Sequence, residues 1–154
     1  MSAAVPIDDL PATFADIVEE FRDVAPRQRL ELLLEYADDL PELPERYQAH
    51  RDRLEQVHEC QSPLFLAVEV LHGGPDGVVH LYFDAPREAP TTRGFAGILH
   101  AGLDGLPANT VLAVPDDAPL RLGLAEAVSP LRLRGMVAML SRIKRQVRLR
   151  LPDG

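Results

Sequence analysis

The apolar positions fall into helical and strand periods in turn. Phe14, Ile17, Val18 and Phe21 predict a first helix, starting at Thr13 with Asp16 as a capping-box-like partner and ending over Val24 to Pro26. Pro26 suits the first turn of a second helix. In it Leu30, Leu33, Leu34 and Ala37 share one face, and the two helices are expected to form an antiparallel pair before Leu40 to Pro44 stops the second. After a polar stretch from His50 to Gln56, read as an extended edge or a loop, the pattern changes to strand. Leu64 to Leu71 and Val78 to Phe83 are rich in β-formers, and His72-Gly73-Gly74-Pro75-Asp76-Gly77 between them has turn chemistry, which predicts an antiparallel hairpin.

Helical spacing returns from Thr91 to Leu103, with Pro90 at its first position, and a short helix is expected near Ala108 to Ala113. The clearest element is the last. Ser129 is placed to cap it, Pro130 to start it, and Leu133, Met136, Leu140, Ile143 and Val147 form one apolar stripe that should cover a face of the hairpin. Met1 to Ala12, with two prolines and no periodicity, reads as a loose arm. The fold class is therefore α+β: a single domain over residues 13–150, with a hairpin-based antiparallel sheet packed against N- and C-terminal helices.

Composition narrows the function. The chain has 154 residues and a net charge of −8, which argues against nonspecific nucleic-acid binding. The charge is uneven. Residues 1–60 hold 15 acidic and 6 basic side chains, whereas residues 120–154 hold 8 basic and 2 acidic, so the two ends can pair with each other or with charged partners. The apolar runs are too short to cross a bilayer and no leader pattern opens the chain, so a cytoplasmic protein without membrane partners is expected.

Cys60 is the only cysteine, which excludes an internal disulfide, a CxxC pair and an all-cysteine metal site within one chain. It stands in Val57-His58-Glu59-Cys60-Gln61-Ser62-Pro63, at the entrance to the sheet. Isolated cysteines commonly pack, but Glu59, Gln61 and Ser62 are polar and Pro63 favours extended backbone before it, a setting that suits a reactive loop. His58 would lower the thiol pKa if its ring turned inward, and Glu59 would raise it.

Other constellations have plainer readings. His50, His58, His72, His80 and His100 lack local metal-ligand spacing, so no metal is expected. Gly94-Phe95-Ala96-Gly97 lacks the phosphate-loop ending and reads as close helix packing. Arg142, Arg145 and Arg148 read as a solvated stripe on the exposed side of the last helix.

Cys60 to Val70, Thr92-Arg93-Gly94, Leu122-Gly123-Leu124 and Ser129-Pro130-Leu131-Arg132-Leu133-Arg134-Gly135-Met136 with Met139 resemble, in this order, the SufE family of sulfur-acceptor proteins. The resemblance spans about Phe14 to Arg148. It implies an α+β fold similar to the scaffold IscU, with Cys60 on a loop that takes persulfide sulfur from a SufS-type cysteine desulfurase and stimulates that enzyme. The sulfur would pass to a SufBCD-type scaffold for iron–sulfur cluster assembly. This chain would be a carrier, not an enzyme, and would need no cofactor; the pyridoxal phosphate would belong to the desulfurase. His58, Glu59, Gln61 and Ser62 would form the supporting loop, and Arg132 and Arg93 would bind the partner. Many members place glycine before the cysteine, where this chain has Glu59. From the residues alone two alternatives stay open: a cysteine-dependent hydrolase or transferase with His100 or His80 as base, and an adaptor whose cysteine only packs.

Overall fold

The computed structural model describes residues 8–151. The helices are α1 (Ala12–Asp23), α2 (Arg29–Asp38), α3 (Glu45–Gln48), α4 (Pro90–Leu103), α5 (Ala108–Ala113) and α6 (Pro130–Arg150). Three antiparallel strands, β1 (Glu55–Gln56), β2 (Phe65–Leu71) and β3 (Val78–Asp84), lie side by side in that order. The expected α+β class and hairpin are present, and the end of the polar stretch from His50 to Gln56 forms β1, the extended edge that was one of its two readings.

Strand alternation sorts the sheet into two faces. Leu66 and Val68 of β2 join Val79, Leu81 and Phe83 of β3 in the main core, with α1, α4 and α6 supplying Phe14, Phe21, Phe95, Leu99, Met136 and Ile143. On the opposite face Ala67, Phe65 and Tyr82 are covered by Leu43, Tyr47 and Leu54. Arg46 lies over the Tyr47 and Tyr82 rings at 5.1 and 5.0 Å, and Glu69 accepts hydrogen bonds from Arg46 and Tyr47, both at 2.6 Å. The outer edge of β3 is covered at its start by the segment after α4: Gly105 N–H donates to Val79 O at 2.7 Å and Val79 N–H to Leu106 O at 2.9 Å. A covered edge offers no template for strand pairing.

α6 matches its expected residues closely. Ser129 Oγ accepts from Arg132 N at 3.3 Å as the cap, and all five stripe residues are buried. Its far half grips the sheet through Gln146 Oε1, which accepts from Val68 N at 3.0 Å, and Arg150 Nε, which donates to Val68 O at 2.6 Å.

Three expectations are corrected. Helix α1 starts at Ala12 without a side-chain cap, and Thr13 Oγ1 donates instead to Gly102 O at 2.6 Å. A hydroxyl can serve a distant carbonyl as well as its own helix end. α1 and α2 do not form a self-contained pair: both pack against α4, and Leu30 of α2 is exposed. They still meet through Phe21 and Tyr36, whose rings stack at 5.7 Å. The arm expected over residues 1–12 lies outside the described residues for positions 1–7. Beyond them Leu10 is buried and Asp9 binds Arg121 in two hydrogen bonds, at 2.5 and 3.0 Å, so this part is held.

Candidate functional site

Cys60 sits on the connection between β1 and β2, whose feet are anchored. Val57 and Leu64 are both buried, and Val57 N–H donates to Leu64 O at 2.9 Å. Between them Cys60 N–H donates to Val57 O at 3.2 Å, which makes a tight turn. His58, Glu59, Gln61 and Pro63 face solvent, while Cys60 and Ser62 are half-buried. The loop is short, exposed at its crest and fixed at both ends.

The thiol turns inward onto α6. Cys60 Sγ lies 3.8 Å from Gly135 O, and a Cβ at Gly135 would stand 3.1 Å from that sulfur. Glycine leaves the room in which the sulfur rests. Seven residues further on the same side of α6, Arg142 grips the neighbour of Cys60: its two terminal nitrogens meet Glu59 Oε1 at 2.9 Å and Oε2 at 3.1 Å. Arg142 Nε also meets Glu55 Oε2 at 3.2 Å, and Glu55 is bound further by Arg145 and by Gln146 Nε2 at 2.8 Å. The basic tail thus pairs with the acidic head: of the expected solvated stripe, Arg145 and Arg148 are exposed, Arg145 while pairing with Glu55, but Arg142 is half-buried in ion pairs.

This setting decides the state of the thiol. Burial and then the Glu59 carboxylate push Cys60 up to about 11, with Arg142 acting the other way. Glu59 itself is held below its ordinary value, chiefly by the Arg142 hydrogen bond. His58 is exposed and acts on Glu59, not on the thiol. The resting cysteine is therefore protonated at neutral pH and a poor nucleophile.

Arg132 lies one turn before Gly135, on the same side of α6 as the thiol. It is exposed, and its guanidinium has no partner among the described residues. Arg93 has a different place. Its guanidinium donates to Ala85 O at 2.7 Å and lines two clefts with Glu42 and Arg87, with no contact to Cys60. His80 and His100 both face Asp104 Oδ1, at 3.4 and 3.7 Å, in a cleft of about 180 Å³ that Cys60 does not line. Neither His80 nor His100 is placed there as a base for the thiol. Among the described residues no group of three or more His, Cys, Asp and Glu is arranged to hold a metal, and no helix is long and apolar enough to cross a membrane.

Sequence reasoning missed how the site is held: Gly135 of α6 as a seat, Arg142 of α6 as a clamp and Glu55 of β1 as its anchor. The available signal was the seven-residue spacing of Gly135 and Arg142 on one helix face.

Comparison with known proteins bears on most of the chain. The family model for SufE, described as an Fe-S metabolism associated domain, matches residues 15–147. A SufE-like protein of Mycobacterium tuberculosis, uncharacterized, is 54% identical over 139 residues, covering 90% of this chain and 94% of that protein. SufE-like protein 1 of Arabidopsis thaliana, chloroplastic/mitochondrial, is 27% identical over 92% of this chain but only 36% of its own length. The solution structure of a hypothetical protein from Thermus thermophilus superposes with a TM-score of 0.78 at 41% identity, covering 91% of this chain and 96% of that one.

Proposed function

Since the chain belongs to the SufE family of iron–sulfur metabolism, we propose that Cys60 accepts sulfur from the persulfide of a SufS-type cysteine desulfurase. The acceptor then passes that sulfur to a SufBCD-type scaffold. The observation that carries this reading is a solitary thiol on a short loop, seated in a glycine notch and close enough to the surface to be reached.

The chemistry needs little more. Cys60 loses its proton, and its sulfur attacks the terminal sulfur of the donor persulfide, as in thiol–disulfide exchange. A new S–S bond forms on Cys60, the donor S–S bond breaks, and its electron pair and a proton end on the donor cysteine. No net oxidant or reductant is consumed. A second thiol in the chain could attack the product and release sulfide, and there is none. Because burial and Glu59 disfavour the thiolate, docking that moves the loop or changes its surroundings would speed the transfer. Arg132, exposed one turn before Gly135 on α6, would meet the partner on the helix that seats Cys60, while Arg93 would serve a more remote part of the interface.

The test is direct. The chain is incubated with a group II cysteine desulfurase and cysteine, then weighed intact. Wild type gains one sulfur atom and Cys60→Ser gains none. No gain, together with unchanged desulfurase turnover, rejects the proposal.

A further inference from the structure

The exposed acid beside the thiol has a specific partner on another element. Glu59 is bound bidentately by Arg142 across 83 residues of sequence, and the bond ties the crest of the Cys60 loop to α6. The two partners differ in accessibility. The Glu59 side chain is 47% exposed and that of Arg142 22%, and Arg142 keeps a second carboxylate, Glu55, at 3.2 Å. Breaking the pair from the Glu59 side therefore leaves Arg142 still paired with Glu55, whereas capturing Arg142 would take away a cation that two carboxylates share, with only Glu55 keeping Arg145.

From this we infer that the Glu59–Arg142 pair is a latch on the Cys60 loop, released when a lysine or arginine of the docking partner takes over Glu59. The inference rests on the sulfur-acceptor reading for its purpose. Release has two consequences. The loop is freed from α6, and the carboxylate that opposes thiolate formation is neutralised while Arg142, which favours it, stays in place. Glycine at this position would give a looser loop without that control.

The latch is tested in the free chain by the rate at which iodoacetamide, a neutral reagent, alkylates Cys60. Glu59→Gln keeps the size of the side chain and removes its charge, at a site exposed enough that folding is unaffected. Alkylation is expected to rise about three- to fivefold, as befits a partly exposed ion pair. Wild-type labelling should also speed up with added salt, which screens the pair, and that dependence should vanish in Glu59→Gln. A short arginine-rich peptide should accelerate the wild type and not the variant. Equal rates and salt dependence in the two proteins would overturn the latch, and a peptide without effect on wild type would overturn a basic partner group as its release. These readouts are separate from sulfur transfer. A latch that behaves as expected in a chain that gains no sulfur would refute the carrier reading alone, and the reverse result would refute the latch alone.

Discussion

On α4, Gly94 and Gly97 meet the backbone of α2; on α6, Gly135 meets the sulfur of Cys60. A Cβ at Gly94 would come within 2.6 Å of Leu33 O and one at Gly97 within 2.2 Å of Tyr36 O, whereas one at Gly135 would stand 3.1 Å from Sγ and 3.5 Å from the Cys60 Cα. The first pair fits helix backbone against helix backbone, where nothing can yield. The third seats the end of a side chain on a surface loop, where something can. The same residue type serves a permanent joint in one place and a releasable one in the other, and what it touches decides which.

The largest effect follows from the permanent joint. Gly97→Ala forces α2 away from α4 or bends one of them, because Tyr36 O has no room to move. Its cost should reach or exceed the upper end of the usual overpacking range of about 1–3 kcal/mol. In a chain of this size that lowers the thermal midpoint by roughly 6–12 °C. A melt within a degree or two of wild type would break the contrast between the two contacts.

α6 itself contains both kinds of contact, and a second variant separates them. Gln146 sits at the end far from Gly135 and supplies the acceptor for the buried Val68 N–H. Gln146→Leu would leave that donor unsatisfied, at a cost of about 1–3 kcal/mol in denaturant unfolding. The alkylation rate of Cys60 should stay near wild type if the loop is governed by Gly135 and Arg142 alone. Gln146 also donates to Glu55, so a large rise in labelling would show that the permanent and releasable ends are coupled.

These elements also mark what was legible in the chain. The α6 stripe, its Ser129 cap, the β2–β3 hairpin and the glycine packing of α4 could all be read because each is written in a local period or a local turn. The mispaired α1 and α2 show the limit: each has a correct apolar stripe, but a stripe does not say which helix will cover it. Thr13 and Asp16 have the spacing of a capping box, yet Gly102 O, 89 residues away, takes the hydroxyl. Cys60 and its polar neighbours were evident as a loop. Their charges were not, because the groups that set them come from α6, and a surplus of acid at one end and base at the other does not reveal that Glu55 and Glu59 meet Arg142.

The thiol gives a pH-dependent version of the same contrast. Its ordinary value is 9.0 and the fold raises it to about 11, so the native state favours the neutral form. The stability this contributes is complete below pH 9 and is lost as pH rises toward 11, since the unfolded chain ionises first. Other groups titrate there as well, Tyr47 being pushed up to about 12, but they are common to wild type and Cys60→Ser. Wild type should therefore lose more stability than Cys60→Ser between pH 9 and 11 in parallel urea titrations. Identical losses would mean that the seat on Gly135 does not discriminate between thiol and thiolate.

Gly135→Ala should change stability least, and for that reason it tests the releasable joint most sharply. Alanine favours a helix interior over glycine by about 0.5–1 kcal/mol. Against this gain stands a contact of 3.1 Å with a sulfur at the end of a side chain, which a small shift of the loop relieves. The two effects have similar size and opposite sign, so the unfolding midpoint should scarcely move. The displaced thiol, however, loses the burial that keeps it protonated, and its alkylation midpoint should fall from about 11 toward 9.0. A variant as stable as wild type but readily alkylated at neutral pH would establish that Gly135 holds the cysteine in reserve and does not hold the fold together. A variant that unfolds easily with its thiol still slow would place Gly135 with Gly94 and Gly97, and the difference between the two contacts would disappear.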